Sequence, residues 1–524
     1  MVDFRPLSPL ARFLLDSFEK KEHVVEEDRK IFVNPIVSKF ASWYEKLRNA
    51  MEFREDEVIL RATIERILKR RLLLGGNGET TAEPLVKELL WARYMPKHEI
   101  GASVVDAVKE SIDLYLSLRL QVIQKHHMPD TIMNDWIYDL MSSDIQYILN
   151  TKREKELMGN FMFHVLKDDV LMEDESEETR NAQVFMAVRK AFDRDDIAFL
   201  RYHMFCQYFG KLTPQTLAYT VEHFPKGYRE IMQQLAHTKK DRIYTYIKRR
   251  TAAFFILEDV LQKHKDNIKS LLQTPEELEQ VVFEAAQIRY NSIASRVQRA
   301  IIRSVIFILL TKIGFAFAIE GTYDVWKYGE IQWVSLLLNI AIPPLLMVIV
   351  SLFLQPPGLD NSRLILSYIN ELLYEDDPKL GNKLLVAKEQ KKDATLHKVF
   401  DTLWLFGFLL SFGAVIFVLT KLHFNIVSQF IFVFFLAIVS FLSYRISLIA
   451  NVFRVGERQG VLTLLVDFFF MPVIRTGRKL TQSISQINIF LFIFDFFIEA
   501  PFKSLFAFFD RWFYFLHSKT EELE

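Results

Sequence analysis

The chain has 524 residues with 65 basic and 65 acidic side chains, so its formal net charge is zero, and it carries one cysteine, Cys206. A zero balance gives no global attraction to nucleic acid, and a lone cysteine excludes an intrachain disulfide, which fits a reducing compartment. Apolar residues make up 50% of the chain, near the globular mean, but the two halves differ: charge dominates up to about Arg303, and apolar runs dense in Phe follow.

The first predicted element lies in "PLSPLARFLLDSF", where Leu7, Leu10, Leu14 and Phe18 keep helical spacing while Arg12 and Asp16 break any secretory apolar core. "DEVILRATIERILKRRLLL" places Val58, Ile59, Ala62, Ile67 and Leu68 near one face and stops at Gly75-Gly76. The next stretch, "LLLGGNGETT", imitates a phosphate loop but lacks its lysine and its preceding strand, so it reads as a helix stop and turn. Helices are predicted in "ASVVDAVKESIDLYLSLRLQVI" and "DTIMNDWIYDLMSSDIQYIL". The acidic "MEDESEET" after Leu171 reads as a linker that divides a helical region 1–171 from a second, 178–298. "RDDIAFLRYHMFCQYF" puts Asp196 and His203 on one face with Cys206 a turn further on; core packing explains that better than a metal site. Thr274 as N-cap, Pro275 at the first position and Glu277 three residues on mark the start of a helix with no later breaker. No alternating strand is predicted anywhere.

Four segments are apolar over about the 20 residues needed to cross a bilayer: Ser304–Ile319, Ile331–Leu354, Thr402–Leu419 and Phe424–Tyr444. They form hairpins at 300–354 and 402–450, joined by a connector at 355–401. Arg296, Arg299 and Arg303 precede the first span, Arg363 and six lysines from Lys379 to Lys398 fill the connector, and Arg445, Arg454 and Arg458 follow the fourth. The opposite loops are poor in Lys and Arg, so both termini are expected in the cytosol and the protein in the cytoplasmic (inner) membrane. With Cys206→Ser as background, Lys327→Cys should react with an impermeant maleimide on intact cells and Lys391→Cys should not; labelling of Lys391→Cys alone reverses the topology. Within the connector, "NSRLILSYINELLY" gathers Leu364, Ile365, Tyr368, Ile369, Leu372 and Leu373 on one helical stripe.

The tail, 461–524, reads as interfacial or re-entrant helices. "VLTLLVDFFFMPVI" is short for a span and contains Asp467. From Asn488 to His517 polar residues recur in steps of 7, 4, 4, 7, 4 and 3, which keeps Asp495, Glu499 and Lys503 in one stripe. A helix of that extent is about 45 Å long against a hydrocarbon core of roughly 30 Å, which favours lying along the interface.

The candidate intramembrane polar site comprises Lys312, Asn339 with Pro343-Pro344, Asp467, Asp495 and Glu499. A charge inside a span costs a few kcal/mol and needs a partner; a structural ion pair or a snorkelling lysine explains Lys312 more simply than an ion path. Pro343-Pro344 could break a helix as in some transporters, though ordinary kinked spans also carry Pro. "KKDRIYTYIKRR" offers Lys239, Lys240, Arg242, Lys248, Arg249 and Arg250 as a candidate headgroup-binding patch beside the bland reading of a solvated face. No HExxH, CxxC or nucleophile elbow occurs, so no catalytic residue, metal or cofactor is expected.

The expectation is therefore an all-α protein: a large cytosolic helical region, a polytopic transmembrane region and C-terminal interfacial helices. The leading functional reading is non-enzymatic, a cytosolic domain that binds or organises a protein partner at the bilayer, compatible with an oligomer and without nucleic acid. The rivals are a transporter or channel using Lys312, Asn339, Asp467 and Asp495, and a membrane-bound enzyme acting on lipid.

Overall fold

A computed structural model describes residues 6–19, 30–32, 56–149, 153–386, 394–455 and 471–479, apart from 74, 96–98, 273, 353 and 355, together with isolated positions in 38–45 and 508–515. The protein is all-α. Its helices are α1 (Pro9–Glu19), α2 (Asp56–Leu72), α3 (Gly78–Trp91), α4 (Ala102–His126), α5 (Asp130–Leu149), α6 (Arg153–Leu166), α7 (Glu177–Val188), α8 (Ile197–Phe209), α9 (Leu217–Leu235), α10 (Lys240–Lys248), α11 (Thr251–Lys263), α12 (Ile268–Leu271), α13 (Pro275–Phe315), α14 (Thr322–Tyr328), α15 (Trp333–Ser351), α16 (Leu359–Tyr374), α17 (Ala394–Lys421) and α18 (Ile426–Ala450). Four three-residue strands were not predicted. β1 (Lys30–Phe32) pairs antiparallel with β2 (Glu99–Gly101), and β3 (Val170–Met172) pairs parallel with β4 (Leu384–Val386). Three residues are too few for an alternating pattern to show.

The chain forms two compact units. Among the described residues, the first joins those within 6–251 with 372–386 and the positions in 508–515; the second joins those within 252–371 with 394–455 and 471–479. In the first unit α4 packs on α3, α5 and α9, and α5 packs on α2 and α8. Leu85, Leu89, Val108, Ile112, Leu140, Met141, Phe205 and Phe224 form its core, each fully buried. The phosphate-loop look-alike is a turn into α3. Asn77 caps the helix by accepting from Thr80 N at 3.0 Å, and the Asp113 carboxylate accepts from Gly78 N at 2.7 Å. The protein's own carboxylate thus occupies that helix N-terminus, and any Cβ at position 78 would collide with the Lys109 carbonyl and Asp113. β3 directly precedes the "MEDESEET" stretch, and its partner β4 comes from the connector.

In the second unit α13, α15 and α18 pack against one another, and α17 packs on α18. Among the described residues, four helical segments are long and apolar enough to cross a membrane, which marks the chain as a membrane protein. Their outward faces expose Phe307, Leu310, Leu337, Leu345, Phe417 and Phe430, as lipid contact demands. Thr274 is the N-cap and Pro275 opens α13 as expected, but the Thr274 hydroxyl makes no capping bond. Helix continues from Pro275 to Tyr328, 54 residues, so "EGTYDVWKYGEIQ" is mostly helical rather than a loop. Between α13 and α14 it passes through a π-helical turn, Ala316–Gly321. α15 runs unbroken through Pro343 and Pro344. Residues 471–479 are helical, with Val473 in a small core with Phe412 and Ala437.

Candidate functional site: a buried polar cluster in the spans

Lys312 lies in the last turn of α13 in an apolar run, and its side chain is fully buried. Its Nζ donates to Glu320 Oε1 at 3.2 Å and lies 4.8 Å from the centre of the Phe435 ring. Eight residues along a plain α-helix bring a side chain about 80° away from its starting face. The π turn carrying Glu320 adds residues to the turn and rotates the carboxylate back toward Lys312.

Glu320 is also fully buried, and its second oxygen accepts from Asn339 Nδ2 at 2.5 Å. Asn339, fully buried on α15, donates from the same nitrogen to the Ser428 carbonyl of α18 at 3.2 Å. One ion pair and one amide thus link the three helices that pack together. The Asn339 Oδ1 atom has no hydrogen-bond partner among the described residues. Pro343 lacks the N–H that would otherwise bond the Asn339 carbonyl, so α15 carries unsatisfied acceptor capacity here.

A second polar link lies one turn beyond. Asp324, buried on α14, accepts from Asn425 Nδ2 at 2.7 Å and from Gln332 N at 3.2 Å. Asn425 in turn caps α18, accepting from Ser428 N at 2.7 Å. On α18, Ser443 Oγ meets Met347 Sδ of α15 at 3.2 Å.

Of the predicted intramembrane residues, Lys312 and Asn339 meet through Glu320, which sequence reasoning missed. Asp467, Asp495 and Glu499 lie outside the described residues. In the candidate headgroup patch, Lys240, Arg242, Lys248 and Arg249 are exposed, Lys239 is half-buried and Arg250 is buried. His203 and Asp196 part company: Asp196 caps α8 and pairs with Arg61 at 2.6 Å, while His203 joins a buried cluster with Arg189 and Asp195. No family model matches the chain, and neither a curated protein nor a solved structure does.

Proposed function

We propose that the protein is a non-enzymatic organiser at the cytoplasmic membrane, whose four spans anchor a cytosolic helical unit that engages a protein partner. The observation that carries this reading is the internal pairing of Lys312 with Glu320. Lys312, Glu320 and Asn339 are engaged with one another and with Ser428 across three helices, which suits a fixed anchor. The helical unit in turn has an apolar cavity of about 460 Å³, lined by Leu10, Phe13, Leu14, Phe161, Phe163 and Phe185, with Phe13 itself 71% exposed. Pockets of this size and character commonly receive a side chain or ligand. A second reading, coupled movement of a proton or small cation, is favoured by the unpartnered Asn339 Oδ1 beside the ion pair and by the π turn, a frequent mark of functional sites.

Reconstitution separates the two. Full-length protein in liposomes under imposed proton, sodium and potassium gradients should show no more flux than empty vesicles. A photo-crosslinking amino acid at Phe13 should give one discrete adduct in cells, lost on Phe161→Asp. Gradient-driven flux abolished by Glu320→Gln would replace the anchor with the transport reading.

A further inference from the structure

The basic stretch around α10 contains side chains of two kinds. Some are bonded within the protein. The Arg250 guanidinium donates to the Tyr246 carbonyl at 3.1 Å and the Asn382 carbonyl at 2.9 Å, and lies 3.5 Å from the Tyr246 ring centre. Lys240 Nζ donates to the Leu235 carbonyl at 2.7 Å, and Arg242 to the Leu385 carbonyl at 3.2 Å. These contacts fix the helix in place.

Lys248 differs. Its exposed Nζ lies 5.6 Å from the centre of the Tyr244 ring. A second ammonium approaches the same ring at 4.7 Å, that of exposed Lys190 on the π-helical turn Arg189–Asp193. α10 packs on α7 and on that turn, so folding itself brings these two lysines together. Neither makes an ion pair with a carboxylate among the described residues. Asp241, the acid on α10, is seven positions from Lys248. Two exposed ammonium groups held near one ring raise the local positive potential, and a phosphate oxygen accepts strongly from an ammonium.

We propose that Lys190 and Lys248, framing Tyr244, form a recognition site for the phosphate of an anionic lipid headgroup. Three observations select a lipid over other anions. An aromatic ring between basic side chains suits the headgroup layer, where Tyr and Lys concentrate. Among the described residues the chain carries four helices fit to cross a bilayer, so lipid headgroups are an anion that this protein always accompanies. The patch is too small, on a chain of zero net charge, for a nucleic-acid backbone. The proposal is independent of which reading of the spans holds.

The test uses the full chain in a neutral detergent, with Cys206→Ser and an environment-sensitive fluorophore on Thr245→Cys, an exposed position one turn from Lys248. The probes are dihexanoyl phosphatidylglycerol, dihexanoyl phosphatidylcholine and inorganic phosphate. Phosphatidylglycerol should give a saturable shift, phosphatidylcholine none, and phosphate a weaker response. Each lysine near a headgroup contributes roughly 1 kcal/mol, about fivefold in affinity, so Lys190→Gln/Lys248→Gln should weaken binding about 25-fold. Lys190→Arg/Lys248→Arg should retain it, with unchanged circular dichroism in both variants because the side chains are exposed. Equal responses to the two lipids, indifference to the double glutamine variant, or tighter binding of phosphate than of phosphatidylglycerol would overturn the proposal.

Discussion

Lys312→Met is expected to destabilise the transmembrane unit by about 3–5 kcal/mol, the cost typical of stranding one partner of a buried ion pair. Among the described side chains the Glu320 carboxylate would keep the Asn339 amide as its donor, at a position closed to solvent by burial. Glu320→Gln should cost a similar amount for the converse reason, because the ammonium then loses its counter-charge. The double variant Lys312→Met/Glu320→Leu should recover most of the loss, since an apolar pair of similar volume needs no desolvation. Asn339→Leu should cost about 1–3 kcal/mol, because it removes the bonds to Glu320 and to the Ser428 carbonyl. Thermal unfolding of the full chain in a mild detergent, with retention of the monodisperse peak after heating, measures all four. A Lys312→Met protein as stable as the wild type would show that the pair does not hold the bundle.

The all-α class, the spans and two members of the polar cluster were legible because each rests on a local signal. A lysine and an asparagine in apolar runs are conspicuous one residue at a time. Glu320 was hidden for a specific reason: counting a span's length from Ser304 ends it at Ile319, and the Gly and charges that follow resemble a loop. The π turn that aims Glu320 at Lys312 has no compositional signature. A search for a carboxylate within the two turns after an intramembrane lysine would have found it. The lysine pair at Tyr244 was half visible: Lys248 stands in a basic run, but Lys190 arrives from another element. Arg250 shows what composition hides, since a run of like charges says nothing about which member is bonded inside.

Arg189→Met is the second substitution expected to have a large effect, here in the first compact unit, and it should also change the pH dependence. The Arg189 guanidinium reaches Asp193 at 3.0 Å, Asp195 at 2.9 Å, and the Tyr147 hydroxyl and His203 Nε2 at 2.6 Å each. The side chains of Arg189, Asp193 and Asp195 are under a tenth exposed, and His203 is 12% exposed. Burial pushes the His203 pKa down, and the adjacent Arg189 charge pushes the same way, against a smaller opposing pull from Asp195. For Asp195, burial acts upward, but the Arg189 charge, with the adjacent His203, outweighs it and the carboxylate sits below its ordinary range. Both shifts make acid destabilising. His203 binds a proton more readily in the unfolded chain, so stability falls as pH drops below about 6.5, the unfolded value. The Asp195 contribution is present above its unfolded pKa of about 3.9 and is lost as pH falls from there through its folded value. Removing Arg189 takes the guanidinium away from two buried carboxylates, for a loss of about 3–5 kcal/mol at neutral pH. It also frees His203 from a repelling charge and leaves it beside Asp195 at 3.2 Å, which favours the imidazolium. The folded pKa of His203 then rises, and stability between about pH 7 and 5 should fall less than in the wild type, or increase. Hydrogen exchange of the α8 amides in the full chain reads this locally, apart from the spans. His203→Gln, which cannot titrate, should flatten the same pH window while costing less at neutral pH. Identical pH slopes in the wild type and both variants would remove the cluster from any account of acid sensitivity.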